Sequence, residues 1–376
     1  MNPVEKYLQK KLSDREAAGN LRKLSTKSAT IDLYSNDYLG FVRTGLLQER
    51  MQEKGAPYAA GSTGSRLLSG NSKEAEMLEQ KIAQFHNAEA ALLFNSGYDA
   101  NLGLIASITS RHTTILYDEL CHASIIDGIR LSHVAKKYKF GHNNIEELNE
   151  QLEKAKSDEQ IIVVVESVYS MDGDEAPLKA ITELTNQYNA VLIVDEAHST
   201  GVIGRHGEGL VCNSGLEDIV FARVHTFGKA LGCHGAAIVG SVLLKQYLVN
   251  FARSFIYTTA LPMHAIKAID CAYDELLSEQ FSNEGLHELI RYFNCRKEEP
   301  GIQGWKVSKS AIHALVVGSV ENTKVLAQKL QEAGLQINPI LSPTVAAGEE
   351  RLRICLHSFN TKEQIDRLME IILKHT

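Results

Sequence analysis

Lys229 stands in HTFGKALGCHG, directly after an apolar run and among small residues. A lysine in such a place is costly to keep charged, because burial lowers its pKa by up to several units. Its amine either reaches the surface on its long stem or serves as a Schiff-base nucleophile. Asp195 closes the run AVLIVD and also has two readings: the cap of a following helix, or a carboxylate for a cationic ligand. His198 completes the string DEAH, which is also the signature of ATP-driven nucleic-acid motors whose Asp and Glu hold magnesium. Such a motor needs GxxxxGK[ST] upstream, and here Arg223 and Ala230 break that pattern around Gly228-Lys229. Thr226, just ahead of Lys229, can hold an anion. Ser96-Gly97-Tyr98, between a strand and a helix, offers backbone N–H groups suited to phosphate. His122 in LCHAS is either a core histidine or a flat ring for stacking on a planar ligand. A phosphate cradle, a stacking ring, an Asp for a ring nitrogen and an imine-forming lysine together describe a pyridoxal phosphate site.

These side chains share one kind of position. Asp118, His122, Glu166, Ser170, Asp195, His198, Thr226 and Lys229 all follow an apolar run within a few residues. The runs are 91–94, 114–117, 161–165, 190–194, 220–224 and 236–239. Uniformly apolar, β-branched runs separated by helical stretches predict a parallel sheet covered on both faces. In such sheets ligands bind at the carboxyl ends of the strands. The pattern predicts an α/β fold in three parts: an N-terminal helix and arm over 1–40, a large α/β domain over 41–265, and a smaller C-terminal α+β domain over 266–376. Val4, Leu8, Leu12 and Ala17 give the first helix its period. Ser72 caps another helix that carries Met77, Leu78, Ile82 and Phe85. The C-terminal part reads as a helix over 265–279, AIHALVVGS, a helix over 322–333, RLRICLHSF and a terminal helix from Thr361.

Composition narrows the function classes. The chain of 376 residues carries 39 Lys and Arg against 46 Asp and Glu, a net charge of −7. That argues against a nucleic-acid binder, which usually shows a basic face. No apolar run approaches the ~20 residues of a membrane span, and the N-terminus lacks the apolar core of a signal peptide. A soluble, cytoplasmic protein is expected. The six cysteines are scattered, with no zinc-type spacing and no close pair, so free thiols and no metal are expected.

With these residues the sequence resembles the α-oxoamine synthases, fold-type-I pyridoxal phosphate enzymes, over essentially its whole length. The likeness is carried by SNDYLG (35–40), GSTGSRLLSG (61–70), LFNSGYDAN (93–101), HASIIDGIRLS (122–132), ESVYSMDGD (166–174), VDEAHSTGVIG (194–204), TFGKALG (226–232) and PTVAAGEERLRICL (343–356). The resemblance implies pyridoxal 5′-phosphate, held by Lys229 as the lysine that carries it and by Asp195 at the ring nitrogen. It gives His198 the cofactor's 3′ oxygen and His122 the ring face. Gly97 and Tyr98 fall at the backbone phosphate cradle, Thr226 at a phosphate-side hydroxyl, and Ser170 at a cofactor contact. Arg353 falls where the amino-acid carboxylate binds, and Arg22 and Thr344 where the acyl substrate binds. Thr258 and Thr259 match a segment that reaches the neighbouring subunit's phosphate, which implies a homodimer with shared sites. The implied reaction joins L-alanine to a pimeloyl thioester, on coenzyme A or a carrier protein, with loss of CO2. HASIIDGIRLS also resembles the branch that joins glycine to acetyl-CoA, and Ala346 stands where the alanine branch commonly has Pro.

Overall fold

A computed structural model of the chain describes residues 1–24, 26, 30–55 and 57–375. Parts of the expected N-terminal arm, at 25 and 27–29, lie outside the described residues. The chain forms two compact units: Asn36–Ser170 with Glu175–Gly285, and Met1–Ser35 with Met171–Asp174 and Leu286–Thr376. In chain order the first strands are β1 (Ile31–Asp32), β2 (Ala90–Phe94), β3 (Thr113–Asp118), β4 (Lys136–Phe140), β5 (Gln160–Glu166) and β6 (Val191–Asp195). They are followed by β7 (Ala222–Thr226), β8 (Ala236–Gly240), β9 (Ile312–Val316), β10 (Leu335–Gln336), β11 (Pro339–Ile340) and β12 (Arg351–Cys355).

The larger unit is built on a seven-stranded sheet in the order β2-β8-β7-β6-β5-β3-β4. From β4 to β7 every neighbouring pair is parallel, and β8 runs antiparallel to both β7 and β2. The apolar runs explain this placement. Ile162, Val164, Ile193, Ala222, Val224 and Ile238 pack into one core cluster with Leu104, Ile125 and Leu248 from covering helices. The residues between them, Val163, Val165, Leu192, Val194 and Val239, point to the opposite face and are equally buried. Both faces are therefore covered, and a polar side chain reaches an open cleft only at the strand ends; those inside a strand, such as Arg223 and His225 on β7, are buried. β4 is the exception that the apolar pattern missed. Its sequence KKYKF is exposed except at Phe140, because it is the outer edge of the sheet, where lysines discourage pairing with another chain.

The helix at Met263–Leu276, assigned from the sequence to the C-terminal part, packs on the helices at 46–53 and 73–85 within the larger unit. Met77 of the Ser72-capped helix is exposed rather than core-facing. The smaller unit holds an antiparallel sheet, β11-β12-β9, and a parallel pair, β1 with β10. Helices at Val320–Glu332 and Lys362–His375 bury Leu326, Leu330, Leu368 and Ile372. The first helix, Pro3–Ala17, opens with a capping box between Asn2 and Glu5 and buries none of its residues. Among the described residues no helix is long and apolar enough to cross a membrane.

The segment Met171–Asp174 is held in the smaller unit by its own backbone and by one ion pair. Gly173 has φ +77°, and its carbonyl accepts hydrogen bonds from Ser308 Oγ at 2.9 Å and Ser310 Oγ at 2.7 Å. Asp172 pairs with buried Arg351. A Cβ on Gly173 would lie 2.1 Å from the Ile312 carbonyl oxygen, which as backbone cannot yield. Gly173→Ala should therefore lower stability by about 2 kcal/mol or more, from positive φ and collision together. A urea midpoint within error of wild type would contradict this packing.

Candidate active site

The carboxyl ends of β5, β6 and β7 open into a cleft of ≈ 270 Å³ in the larger unit. Nine of the residues singled out from the sequence line it: Ser96, Gly97, Tyr98, His122, Glu166, Asp195, His198, Thr226 and Lys229. Each arrives there for a local reason.

Lys229 follows β7 on a loop closed at its base. Phe227 N–H donates to the Gly235 carbonyl at 3.0 Å, and Cys233 N–H to the Phe227 carbonyl at 2.7 Å. The fully buried Phe227 ring anchors that loop. Lys229 Nζ lies 2.8 Å from His198 Nε2. His198 Nδ1 in turn lies 2.8 Å from the Tyr38 hydroxyl, which donates to Asn36 Oδ1 at 3.0 Å.

Asp195 ends β6, and both of its oxygens are held. Asn101 Nδ2 donates to Oδ2 at 2.7 Å, and the Ala197 backbone N–H donates to Oδ1 at 2.9 Å. Asn101 Nδ2 also donates to Ser124 Oγ at 3.0 Å, and that hydroxyl lies 2.8 Å from His122 Nδ1. A chain of side chains thus runs from the carboxylate to the histidine. Burial lowers the His122 pKa, with the Lys229 charge acting the same way and Asp195 opposing.

Glu166 sits beside Asp195 in the β5–β6 register and also lines the cleft. It is 2% exposed, and its Oε1 has no partner among the described residues. Burial, then the neighbouring Asp195 charge, push its carboxyl up to about 8.

At the other side of the cleft the helix Gly97–Ile108 begins. Ser96 caps it, its Oγ accepting from the Asp99 N–H at 3.1 Å. The Ala100 N–H is taken by the Ser96 carbonyl, so the Gly97 and Tyr98 N–H groups, lacking acceptors within the helix, present its positive end. A Cβ on Gly97 would lie 2.3 Å from Thr226 Cγ2, so glycine is what lets the helix start approach the end of β7.

The remaining expected site residues lie elsewhere. Ser170 is not among the residues lining the cleft. Thr258 Oγ1 and the Thr259 carbonyl accept from Asn95 Nδ2 at 2.9 and 2.8 Å, next in sequence to the helix cap. Arg22, Thr344 and Arg353 belong to the smaller unit. There Arg22 Nη2 donates to Thr344 Oγ1 at 2.7 Å, which brings the two expected acyl-substrate contacts together. Arg353 lies on β12 with Nη1 3.0 Å from Cys355 Sγ. Sequence reasoning gave no role to Asn101, Ser124, Tyr38 and Asn36, and placed Glu166 only as a strand end. The available signal was polarity out of place: Asn101 interrupts the apolar helix face ANLGLI, and asparagine is a weak helix former.

The cleft fits pyridoxal 5′-phosphate. A helix start that tolerates no Cβ and Thr226 suit its phosphate, while the pre-oriented Asp195 carboxylate and the Lys229 amine suit its ring nitrogen and aldehyde.

Known proteins point the same way. Residues 28–372 match the family model described as Aminotransferase class I and II. The 8-amino-7-oxononanoate synthase of Emericella nidulans is 41% identical over 391 residues, spanning 97% of this chain and 94% of its own. The solved 8-amino-7-oxononanoate synthase of Francisella tularensis superposes with a TM-score of 0.75 at 30% identity, covering 92% of this chain and 97% of that one. Serine palmitoyltransferase of Sphingomonas wittichii superposes with a TM-score of 0.85 at 27% identity, covering 100% and 98%.

Glu166 generates a pH prediction. Its ordinary value is 4.5 and its folded value about 8, so between these the folded chain binds more protons than the unfolded one. Stability contributed by this group is present below 4.5 and lost as pH rises through about 8. Glu166→Gln has no such proton to lose. Across that window the unfolding free energy of the variant, relative to wild type, should rise steadily. A difference that stays flat with pH would remove Glu166 as the titrating group.

Proposed function

The chain belongs to the class I and II aminotransferase family, and from that we propose that it condenses L-alanine with a pimeloyl thioester, releasing CO2 and the free thiol carrier and forming 8-amino-7-oxononanoate. The chain is a pyridoxal 5′-phosphate-dependent α-oxoamine synthase, an acyltransferase. The observation that carries the chemistry is the cleft in which Lys229 Nζ meets His198 Nε2 while Asp195 is held by Asn101 and Ala197. The choice of substrate is supported by the relatives named for that product at 41% and 30% identity.

When bound, the cofactor supplies an electron-withdrawing ring that stabilises negative charge on the amino acid's Cα. Gly97 and Tyr98 N–H groups, with Thr226, bind its phosphate, and His122 covers one face of the ring. Asp195, its carboxylate already oriented, holds a proton on the ring nitrogen. Lys229 Nζ removes the Cα proton and later returns it. Arg353 pairs with the substrate carboxylate through a two-pronged contact, which a guanidinium makes and an ammonium does not. Thr258 and Thr259 serve the neighbouring subunit of a homodimer in a cytoplasmic setting. In this fold DEAH has no motor role: Glu196 is fully buried, with its carboxylate bonded to Ser199 Oγ at 2.7 Å and the Val211 N–H at 3.0 Å.

The test is a substrate panel: L-alanine, glycine and L-serine, each with pimeloyl-, acetyl- and palmitoyl-thioesters. L-alanine with the pimeloyl thioester should give the highest kcat/KM. Glycine with acetyl-CoA in first place would move the enzyme to the short-chain branch and end the pimeloyl assignment.

Pimeloyl ends in a carboxylate that needs a cationic partner, and Arg22 is the candidate, held by Thr344. Arg22→Ala should weaken pimeloyl-thioester use by about 1.5–3 kcal/mol, the range for a hydrogen bond to a charged group. L-alanine binding, followed through the cofactor's absorbance, should hardly change. Unaltered pimeloyl kinetics would free Arg22 from this role.

A further inference from the structure

His198 is held at both ring nitrogens, and the two contacts require the same placement of its proton. Tyr38 is fully buried, with its hydroxyl 3.0 Å from Asn36 Oδ1 and 2.8 Å from His198 Nδ1. A phenol has one proton to give. Asn36 Oδ1 can only accept, so the Tyr38 proton goes there and the phenol oxygen is left to accept from His198 Nδ1–H. On the other side of the ring, Lys229 Nζ lies 2.8 Å from Nε2. An ammonium has donors and no acceptor, so Nε2 must offer its lone pair. Were the Asn36 amide turned over, Tyr38 would donate to Nδ1 and an Nε2–H would face the Lys229 donors. The observed arrangement avoids that opposition.

We propose that Tyr38 is a positioning residue that fixes the proton of His198 on Nδ1, so that Nε2 faces Lys229 Nζ as a proton acceptor. Lys229 must shed a proton before its amine can act as a base. That proton passes from Nζ to Nε2, leaving a neutral amine and an imidazolium, with no other bond made or broken. The Nδ1–H remains on the Tyr38 oxygen throughout. Sequence position alone gave Tyr38 no part in the site, since a tyrosine in SNDYLG is as readily a core residue. The proposal rests on the lysine chemistry put forward above, but not on which amino acid or thioester is used.

The test is 15N NMR of full-length protein labelled at histidine, before and after loading with pyridoxal 5′-phosphate, with His198→Gln to assign the signals. Nδ1 of His198 should show the protonated, pyrrole-type shift in both states. A pyridine-type shift at Nδ1 in either state overturns the proposal, and neither result depends on the substrate panel. In Tyr38→Phe, which keeps the ring in place, pyridine-type signal should appear at Nδ1 while the buried His86 and His225 keep their shifts. An unchanged His198 pattern in that variant would show that Tyr38 is not the device. Asn36→Asp still only accepts and should keep the wild-type pattern; its loss there would equally overturn the proposal.

Discussion

The hydrogen bond from Asn101 to Asp195, at 2.7 Å, ties together the two ends of the site. Asn101 stands one turn into the helix that begins at Gly97, so the two residues share a helix face. The same helix therefore presents its open N–H groups at one end of the cleft and steers a carboxylate at the other. Because Asp195 also takes the Ala197 N–H, it has little freedom to turn. The spacing between anion cradle and carboxylate is thus set by backbone and one buried amide rather than by a flexible side chain. A ligand with a phosphate and a basic ring nitrogen meets a distance already fixed.

Behind this layer lies a second, fully buried one. On β7, Thr226 faces the cleft while His225 points the other way, and after β6 Glu196 turns away from the cleft that Asp195 lines. His225 Nδ1 lies 2.8 Å from Thr200 Oγ1, and its ring stacks on His86 at 3.6 Å. His86 Nε2 meets the Tyr273 hydroxyl at 2.8 Å, and Arg223 Nη1 donates to the His86 carbonyl at 2.7 Å. Burial, then the Arg223 charge, bring the His86 pKa down to about 3, and burial puts His225 well below its ordinary value. Both rings are therefore biased toward the neutral form. His225 holds the 196–200 turn through Thr200, and His86 reaches the Glu208 carbonyl and Tyr273.

How much of this was legible in the sequence follows from what each signal measures. Uniform apolar runs mark strands buried on both faces, so β5 and β6 were plain and the lysine-rich edge β4 was not. Of the eight polar residues picked out because they follow such runs, all but Asp118 and Ser170 line the cleft. Asn101, Ser124 and Tyr38 escaped because each acts through another side chain, and pairing across 94 or 160 positions leaves no local trace. Glu166 was visible as a strand end, yet its raised pKa comes from the register that sets it beside Asp195, which only the sheet order reveals. The helix at Met263–Leu276 looked like the start of a new unit because Pro262 precedes it. A proline before a helix marks the helix start, not a boundary between units.

The contact between Gly97 and Thr226 shows why the sheet order and the chemistry are inseparable. Only a residue without Cβ can sit 2.3 Å, at the Cβ position, from the Thr226 methyl. That closeness exists because β8 lies between β2 and β7, so that the helix leaving β2 crosses over β8 and reaches the end of β7. On β8 the side chains that share the core cluster with that helix are Ala236 and Ile238. The helix start thereby comes down beside Thr226, three residues before Lys229. The start of one helix and the end of one strand are thus brought together by the order in which the strands are laid down.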